Sequence, residues 1–219
     1  MPKKLPQKLG YHHGDLRRAL IDAATQLVAE GGEGAFTLRE AAARVGVSHV
    51  AAYRHFADKT ALFAALAEEG FRRLRTTQAE AGRELPRGSL ARIEALALAY
   101  VGFALDDPST YRVMFGDRLD DGPVPGTEEA QAARARARFP TLDEAVEASF
   151  DLLVSEVVAA QEAGTLRAAP PRDLALALWT LSHGYVDLLQ KRRIRGDERA
   201  KIERHYLRIL GISLHGMRP

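Results

Sequence analysis

The sequence predicts an all-α protein, and three observations carry that expectation. Apolar residues recur at helical spacing along the whole 219-residue chain. No strand-like alternation of any length interrupts them, and the periodic stretches begin at usable caps and stop at glycine or proline. The architecture expected is a small three-helix head at the N-terminal end, joined through a fourth helix to a larger helical body.

The first helix is expected from Asp15, a good N-cap, along the stripe Leu16, Leu20, Ala23, Ala24, Leu27 and Val28 to Gly31 and Gly32. The second opens at Thr37, whose hydroxyl can accept from the Glu40 amide while Glu40 reaches back to the Thr37 amide, and it ends at Gly46. The third runs from Ser48 to Phe56. Asp58 then caps the fourth, which continues through Leu62, Phe63, Leu66 and Phe71 toward Glu84 until Pro86 and Gly88 break it. Beyond the break, residues 89–105 read as one helix, 108–115 as a short one and 120–126 as a loop. Residues 141–163 form a long helix ending at Gly164, 171–193 a helix opened by Pro171, and 197–210 the last, with Asp197 near its start. The head is expected over residues 1–60 and the body over 61–219, with the fourth helix as a continuous rod between them.

A chain of 219 residues with 46% apolar content can bury a sizeable core without staples. It has no cysteine, which excludes disulfides, thiolate metal ligands and thiol nucleophiles together and makes the cytoplasm the default location. The longest apolar stretch, residues 174–189, is broken by Ser182, His183 and Asp187, and the first fourteen residues carry lysines but no apolar run, so no membrane partner is expected. The net charge of +2 hides an uneven distribution. Residues 1–60 hold 9 Lys+Arg against 6 Asp+Glu (+3), residues 61–187 hold 13 against 20 (−7), and residues 188–219 hold 9 against 3 (+6). The ends attract DNA and the middle repels it. Residues 191–208 also read as a solvated basic helix face, and Lys3, Lys4 and Lys8 as either a solubilising arm or a minor-groove contact.

Only Gly46 and Val47 separate the second helix from the Ser48 cap of the third, the tight corner of a helix-turn-helix. Glycine supplies the left-handed backbone the corner needs, small Ala42 lets the helices approach, and Val47, Ala52 and Phe56 point back to a shared core. His49, Val50, Tyr53 and Arg54 are then outward, a mixture of donors and apolar groups suited to base edges and phosphates. His12 and His13 are adjacent, and His49 and His55 are six apart. Neither spacing makes a metal site, and no cofactor is expected.

From His12 to Leu66 the sequence resembles the TetR family of transcription regulators, in FTLREAA at 36–42, VGVS at 45–48 and above all AYRHFADK at 52–59. The resemblance implies base or groove contacts from Arg39, His49, Val50 and Arg54, and phosphate contacts from Thr37, Tyr53, His55 and Lys59, with Ser48 among the DNA-facing set. Lys59 also fits on physical grounds, because it lies in the first turn of a helix, where the dipole already favours a phosphate. Tyr53 alternatively reads as a core aromatic with its hydroxyl at the rim, and Glu40 as a cap rather than a reader.

The body resembles the effector domain of the same regulators sometimes called WHG, in ALWTLSHG at 177–184 and YRVMFG at 111–116. That resemblance implies a small-molecule effector and a homodimer in which the last two long helices of each subunit form a four-helix interface. Ser182 and Gly184 are small enough for close helix approach, and the face Leu174, Leu178, Leu181, Tyr185, Leu188 and Leu189 is expected to be exposed without a partner. Trp179 and His183, at i and i+4, are expected to line a cavity with Tyr100, Phe103, Tyr111, Met114, Phe115 and Phe150. The same residues also read as ordinary core, with His183 bonded to a carbonyl or to Asp187.

The function expected is a DNA-binding regulator, a repressor by the family's usual mode, released from a palindromic double-stranded operator by a mostly apolar small molecule. A regulator or activator that binds DNA independently of any effector carries the same head, and a ligand's effect on DNA affinity separates the two. A helical adaptor is a further alternative, marked by lack of salt-sensitive DNA binding. Enzymatic activity is not expected: the sequence has no glycine-rich phosphate loop, no nucleophile elbow and no paired histidine ligands.

Overall fold

A computed structural model describes residues 16–31, 37–116, 137–194, 196 and 198–219. The lysine arm, Asp15, the 120–126 loop and Asp197 lie outside the described residues. The elements among them are all helices: α1 (Leu16–Gly31), α2 (Leu38–Val45), α3 (His49–Tyr53), α4 (Lys59–Gly82), α5 (Leu90–Asp106), α6 (Pro108–Phe115), α7 (Pro140–Glu162), α8 (Pro171–Gln190) and α9 (Arg199–His215). Among the described residues no helix is long and apolar enough to cross a membrane, and no group of three histidine or carboxylate side chains is placed to hold a metal ion.

Local signals set the head. The capping box of α2 is complete: the Thr37 hydroxyl accepts from the Glu40 amide at 3.2 Å and the Thr37 amide donates to Glu40 Oε2 at 2.6 Å. Gly46 ends α2 at φ 81°, and its neighbour's amide, that of Val47, donates to the Ala42 carbonyl at 3.0 Å. The regular turns of α3 stop at Tyr53, earlier than the periodicity predicts. Residues 54–56 continue as a turn held by the Ala51 and Ala52 carbonyls, because Phe56 must drop into the core while Asp58 takes the extended conformation that caps α4.

Two buried clusters organise the chain. The first joins Leu20, Val28, Leu38, Ala52 and Phe56 of the head to Leu62, Phe63 and Leu66 of α4, and it includes Val113 of α6. The second takes Phe71 and Leu74 further along α4 with Ile93, Tyr100, Met114, Val157, Leu178 and Tyr206. Helix α4 therefore lies in both, and Leu142 of α7 packs against both. Among the described residues the buried carboxylates have cations beside them: Glu156 lies 2.9 Å from Arg92 without hydrogen-bond geometry, and Glu68 lies 2.8 Å from Arg72 while accepting from Thr141 Oγ1 at 2.8 Å.

Two expectations for the C-terminal helices are corrected. Helix α9 runs past Gly211 to His215, because Leu214 and Met217 extend the buried stripe of Ile202, Tyr206 and Leu210 beyond the glycine. On α8, Leu174, Leu178 and Tyr185 are buried within their own chain against α5 and α9, and so need no partner to cover them; only Leu188 of the six expected residues is exposed. Ser182 serves the same internal contact, its hydroxyl lying 2.8 Å from the Leu178 carbonyl and 2.7 Å from the Tyr206 hydroxyl. Among the described residues the large apolar side chains exposed at this end are Leu176, Leu188 and Ile212.

Candidate DNA-reading face and effector cavity

Helix α3 turns one side inward and the other out. Ala52 is fully buried, which fixes the rotation of a short helix and leaves His49, Val50, Tyr53, Arg54 and His55 exposed together. Val50 and Tyr53 are each 54% exposed, high for large apolar groups on a folded surface, and Tyr53 takes no part in the core. Arg39 of α2 is exposed, and the Thr37 and Ser48 hydroxyls are engaged as caps, Ser48 accepting from the Ala51 amide at 3.2 Å. Lys59 opens α4 beside Asp58, whose Oδ1 accepts from the Ala61 amide at 2.8 Å, and its ammonium lies 5.3 Å from the Phe63 ring centroid. The second Asp58 oxygen pairs with Arg138 at 2.8 Å, which ties the segment entering α7 to the exit of the helix-turn-helix.

Behind the head, α4, α5, α6, α7 and α8 enclose a cavity of about 450 Å³. Five expected residues line it: Tyr100, Met114, Phe115, Phe150 and Trp179. Three do not. Tyr111 and His183 stand behind the wall, where both tyrosine hydroxyls meet His183 Nδ1, Tyr100 at 3.0 Å and Tyr111 at 2.8 Å, and lie 2.9 Å from each other. With the ring proton on Nε2, Nδ1 accepts one hydroxyl proton and the other tyrosine donates to the first; with it on Nδ1, the ring donates to one hydroxyl, which donates to the other. Burial pushes the His183 imidazole below its ordinary value, against an opposing pull from Asp187, and pushes both hydroxyls well above theirs. The trio is therefore uncharged near neutral pH. It supports the aromatic wall, with Phe115 4.7 Å and Trp179 5.4 Å from the His183 ring.

Phe103 opens on a different recess, lined by Arg73 and Thr77 of α4 and Arg199 of α9, with the Arg73 guanidinium 5.5 Å from its ring. The α4–α5 seam separates the two spaces, so Tyr100 and Phe103, only three apart, face opposite sides of it. The sequence reading missed the walls supplied by α4 (Phe71, Leu74, Gln78) and α7 (Leu142, Val146, Ser149, Leu153), and Arg172 and Leu176 of α8. The spacing of 71, 74 and 78 was the available signal, an amide continuing an apolar stripe at helical intervals.

Comparison with known proteins agrees at both ends of the chain. Residues 20–66 match the family described as bacterial regulatory proteins, tetR family, and residues 93–210, more than half of the chain, match the tetracyclin repressor-like C-terminal domain. A solved protein of unknown function from Rhodococcus sp. RHA1 is 31% identical over 95% of this chain and 98% of its own, with a TM-score of 0.77. The ketosteroid transcriptional regulator KstR2 of Mycobacterium tuberculosis (20% identity, 97% and 100% of the two chains, TM-score 0.60) has the same fold. So does the fatty acid degradation regulator FadR from Bacillus halodurans (16%, 93% and 97%, TM-score 0.69). With the helix-turn-helix, the helical body and both family matches in one chain, this protein belongs to the TetR family of DNA-binding transcriptional regulators.

Proposed function

We propose that this chain works in the cytoplasm as a homodimeric repressor that holds a palindromic operator and releases it when a mostly apolar small molecule fills the cavity. One observation carries the reading. Consecutive residues of α6 belong to different places: Val113 is buried in the head's cluster, whereas Met114 and Phe115 form the cavity wall. A ligand that displaces the wall pushes on a helix against which the head is packed, and packed elements respond by shifting as units. In this reading residues 1–60 read DNA and residues 61–219 bind effector and partner. Arg39, His49, Val50 and Arg54 face the bases, Thr37, Ser48, Tyr53, His55 and Lys59 the backbone, and the effector sits among Tyr100, Met114, Phe115, Phe150 and Trp179.

The test begins with selection of binding sites from random DNA, which should yield an inverted repeat because one short helix reads only a few base pairs and a dimer supplies the rest. Lipophilic compounds that quench Trp179, the sole tryptophan, are then added to an operator titration. An effector should weaken operator binding roughly five- to a hundredfold and be weakened by operator to the same degree, the usual range of such coupling. A ligand that quenches Trp179 and leaves operator affinity unmoved removes the switch. A selected site without two-fold symmetry removes the dimer.

A further inference from the structure

The polar groups of the cavity point to the chemical class of its occupant, an inference that rests on the cavity being an effector site. Gln78 is buried, and its Nε2 donates to the Leu96 carbonyl at 3.1 Å. A carbonyl only accepts, so the amide orientation is fixed: the NH₂ faces Leu96 and Oε1 faces away, an acceptor with no protein partner among the described residues, on a side chain that lines the cavity. Buried Ser149 contributes a hydroxyl from α7, again with no protein partner among the described residues. Tyr100 adds only its ring, because its hydroxyl is committed to Tyr111 and His183.

Charge in the cavity is confined to its mouth. The charged lining residues are Glu147 and Arg172, joined at 3.0 Å and both exposed, and Arg172 also meets Asp151 at 3.1 Å. Two carboxylates on one guanidinium leave the entrance net negative and the arginine already occupied. Deeper in, the walls are aromatic and aliphatic. An anion entering such a space gives up its hydration and finds no cation, whereas a neutral molecule with one hydroxyl finds an acceptor waiting.

We propose that the cavity selects an uncharged amphiphile, an alcohol on a long aliphatic or fused-ring skeleton, whose hydroxyl donates to Gln78 Oε1, in preference to carboxylates or phosphate-bearing esters of the same skeleton. The experiment titrates the protein with 1-dodecanol, methyl dodecanoate and sodium dodecanoate below their aggregation limits, following Trp179 emission and heat. The alcohol should bind about tenfold more tightly than the methyl ester, which has no donor, as expected for one net hydrogen bond. The carboxylate should bind weakest. Gln78→Met should remove the advantage of the alcohol over the ester. Because that substitution also removes the bond to Leu96 and so weakens the α4–α5 packing, a second variant acts only at the mouth. Glu147→Gln with Asp151→Asn frees Arg172 at exposed positions and should strengthen carboxylate binding about tenfold relative to the alcohol, the worth of one charge-assisted hydrogen bond. Carboxylate binding as tight as the alcohol in the unmodified protein, or alcohol and ester binding alike, overturns the class assignment and leaves the effector cavity standing. Failure of all three compounds to bind overturns both.

Discussion

Gly70 of α4 approaches Met114 of α6 so closely that a Cβ on the glycine would lie 2.6 Å from the Met114 sulfur and 2.9 Å from Thr110 Cγ2. The sulfur can swing away into the cavity, but the branched, buried Thr110 cannot follow it. Gly70→Ala should therefore shift α6 off α4 by a few tenths of an ångström, with an overpacking cost of about 1–3 kcal/mol. Through Val113 the shift reaches the head, and through Met114 it fills part of the cavity. Operator affinity without effector and ligand affinity should both fall, measured by gel shift and Trp179 titration. A variant that melts earlier but binds operator like the unmodified protein takes α6 out of the switch.

On DNA, two basic residues should behave differently. Lys59 begins α4, where free amides and the helix dipole already favour a phosphate. Lys59→Ala is expected to weaken binding to every sequence and to flatten the log-log salt dependence by about one unit for each phosphate that the lysine no longer neutralises. Arg54 follows the exposed face of α3, and Arg54→Ala should change which base is preferred at one position of each half-site. Selection profiles and salt titrations of both variants check this. Matching profiles and slopes would mean that the two side chains do the same job.

How much of this was legible in the sequence depends on range. Thr37, Gly46, Ser48 and Asp58 act within four residues of themselves, so the caps and the corner of the head were readable one by one. The cavity was readable only where side chains share a helix or a motif. Trp179 and His183 do lie together, but Trp179 faces the cavity while His183 stands behind its wall, a division set by tyrosines 72 and 83 residues away in sequence. Gln78 and Ser149 were missed because both sit on helices whose apolar stripes look like core, and only packing shows which edge of a stripe borders a void. The buried face of α8 was mistaken for an interface for the same reason: periodicity identifies a covered face and not what covers it.

The Tyr100, Tyr111 and His183 trio carries a pH dependence. Burial holds the folded imidazole below its ordinary 6.5. The unfolded chain takes up that proton first, so it binds more protons between the two values and folding is weakened there. Stability from this site is full above about 6.5 and declines as the pH falls from there through the folded value. His183→Gln keeps an acceptor for a tyrosine hydroxyl and cannot charge. Its denaturant midpoint should be lower at pH 8 and change less than that of the unmodified protein on acidification below 6.5. Parallel curves for the two proteins would assign the acid sensitivity elsewhere.

The dimer is tested most cleanly at Ile212, which is 75% exposed on α9 while Leu210 and Leu214 on either side of it are buried. A β-branched apolar side chain held out from the last helix contributes nothing to its own core, so its removal should leave the protomer folded. If it packs against a second copy, a buried charge at that place is strongly unfavourable. Ile212→Asp should then raise the dimer dissociation constant by about a hundredfold or more, which corresponds to roughly 3 kcal/mol. Operator affinity should fall with it, because a monomer reaches one half-site only. Sedimentation across a concentration series separates the outcomes, with helical circular dichroism as the control for folding. A variant that stays dimeric at concentrations where the unmodified protein begins to dissociate places the interface away from Ile212, and the exposed Leu188 at the end of α8 becomes the next position to charge.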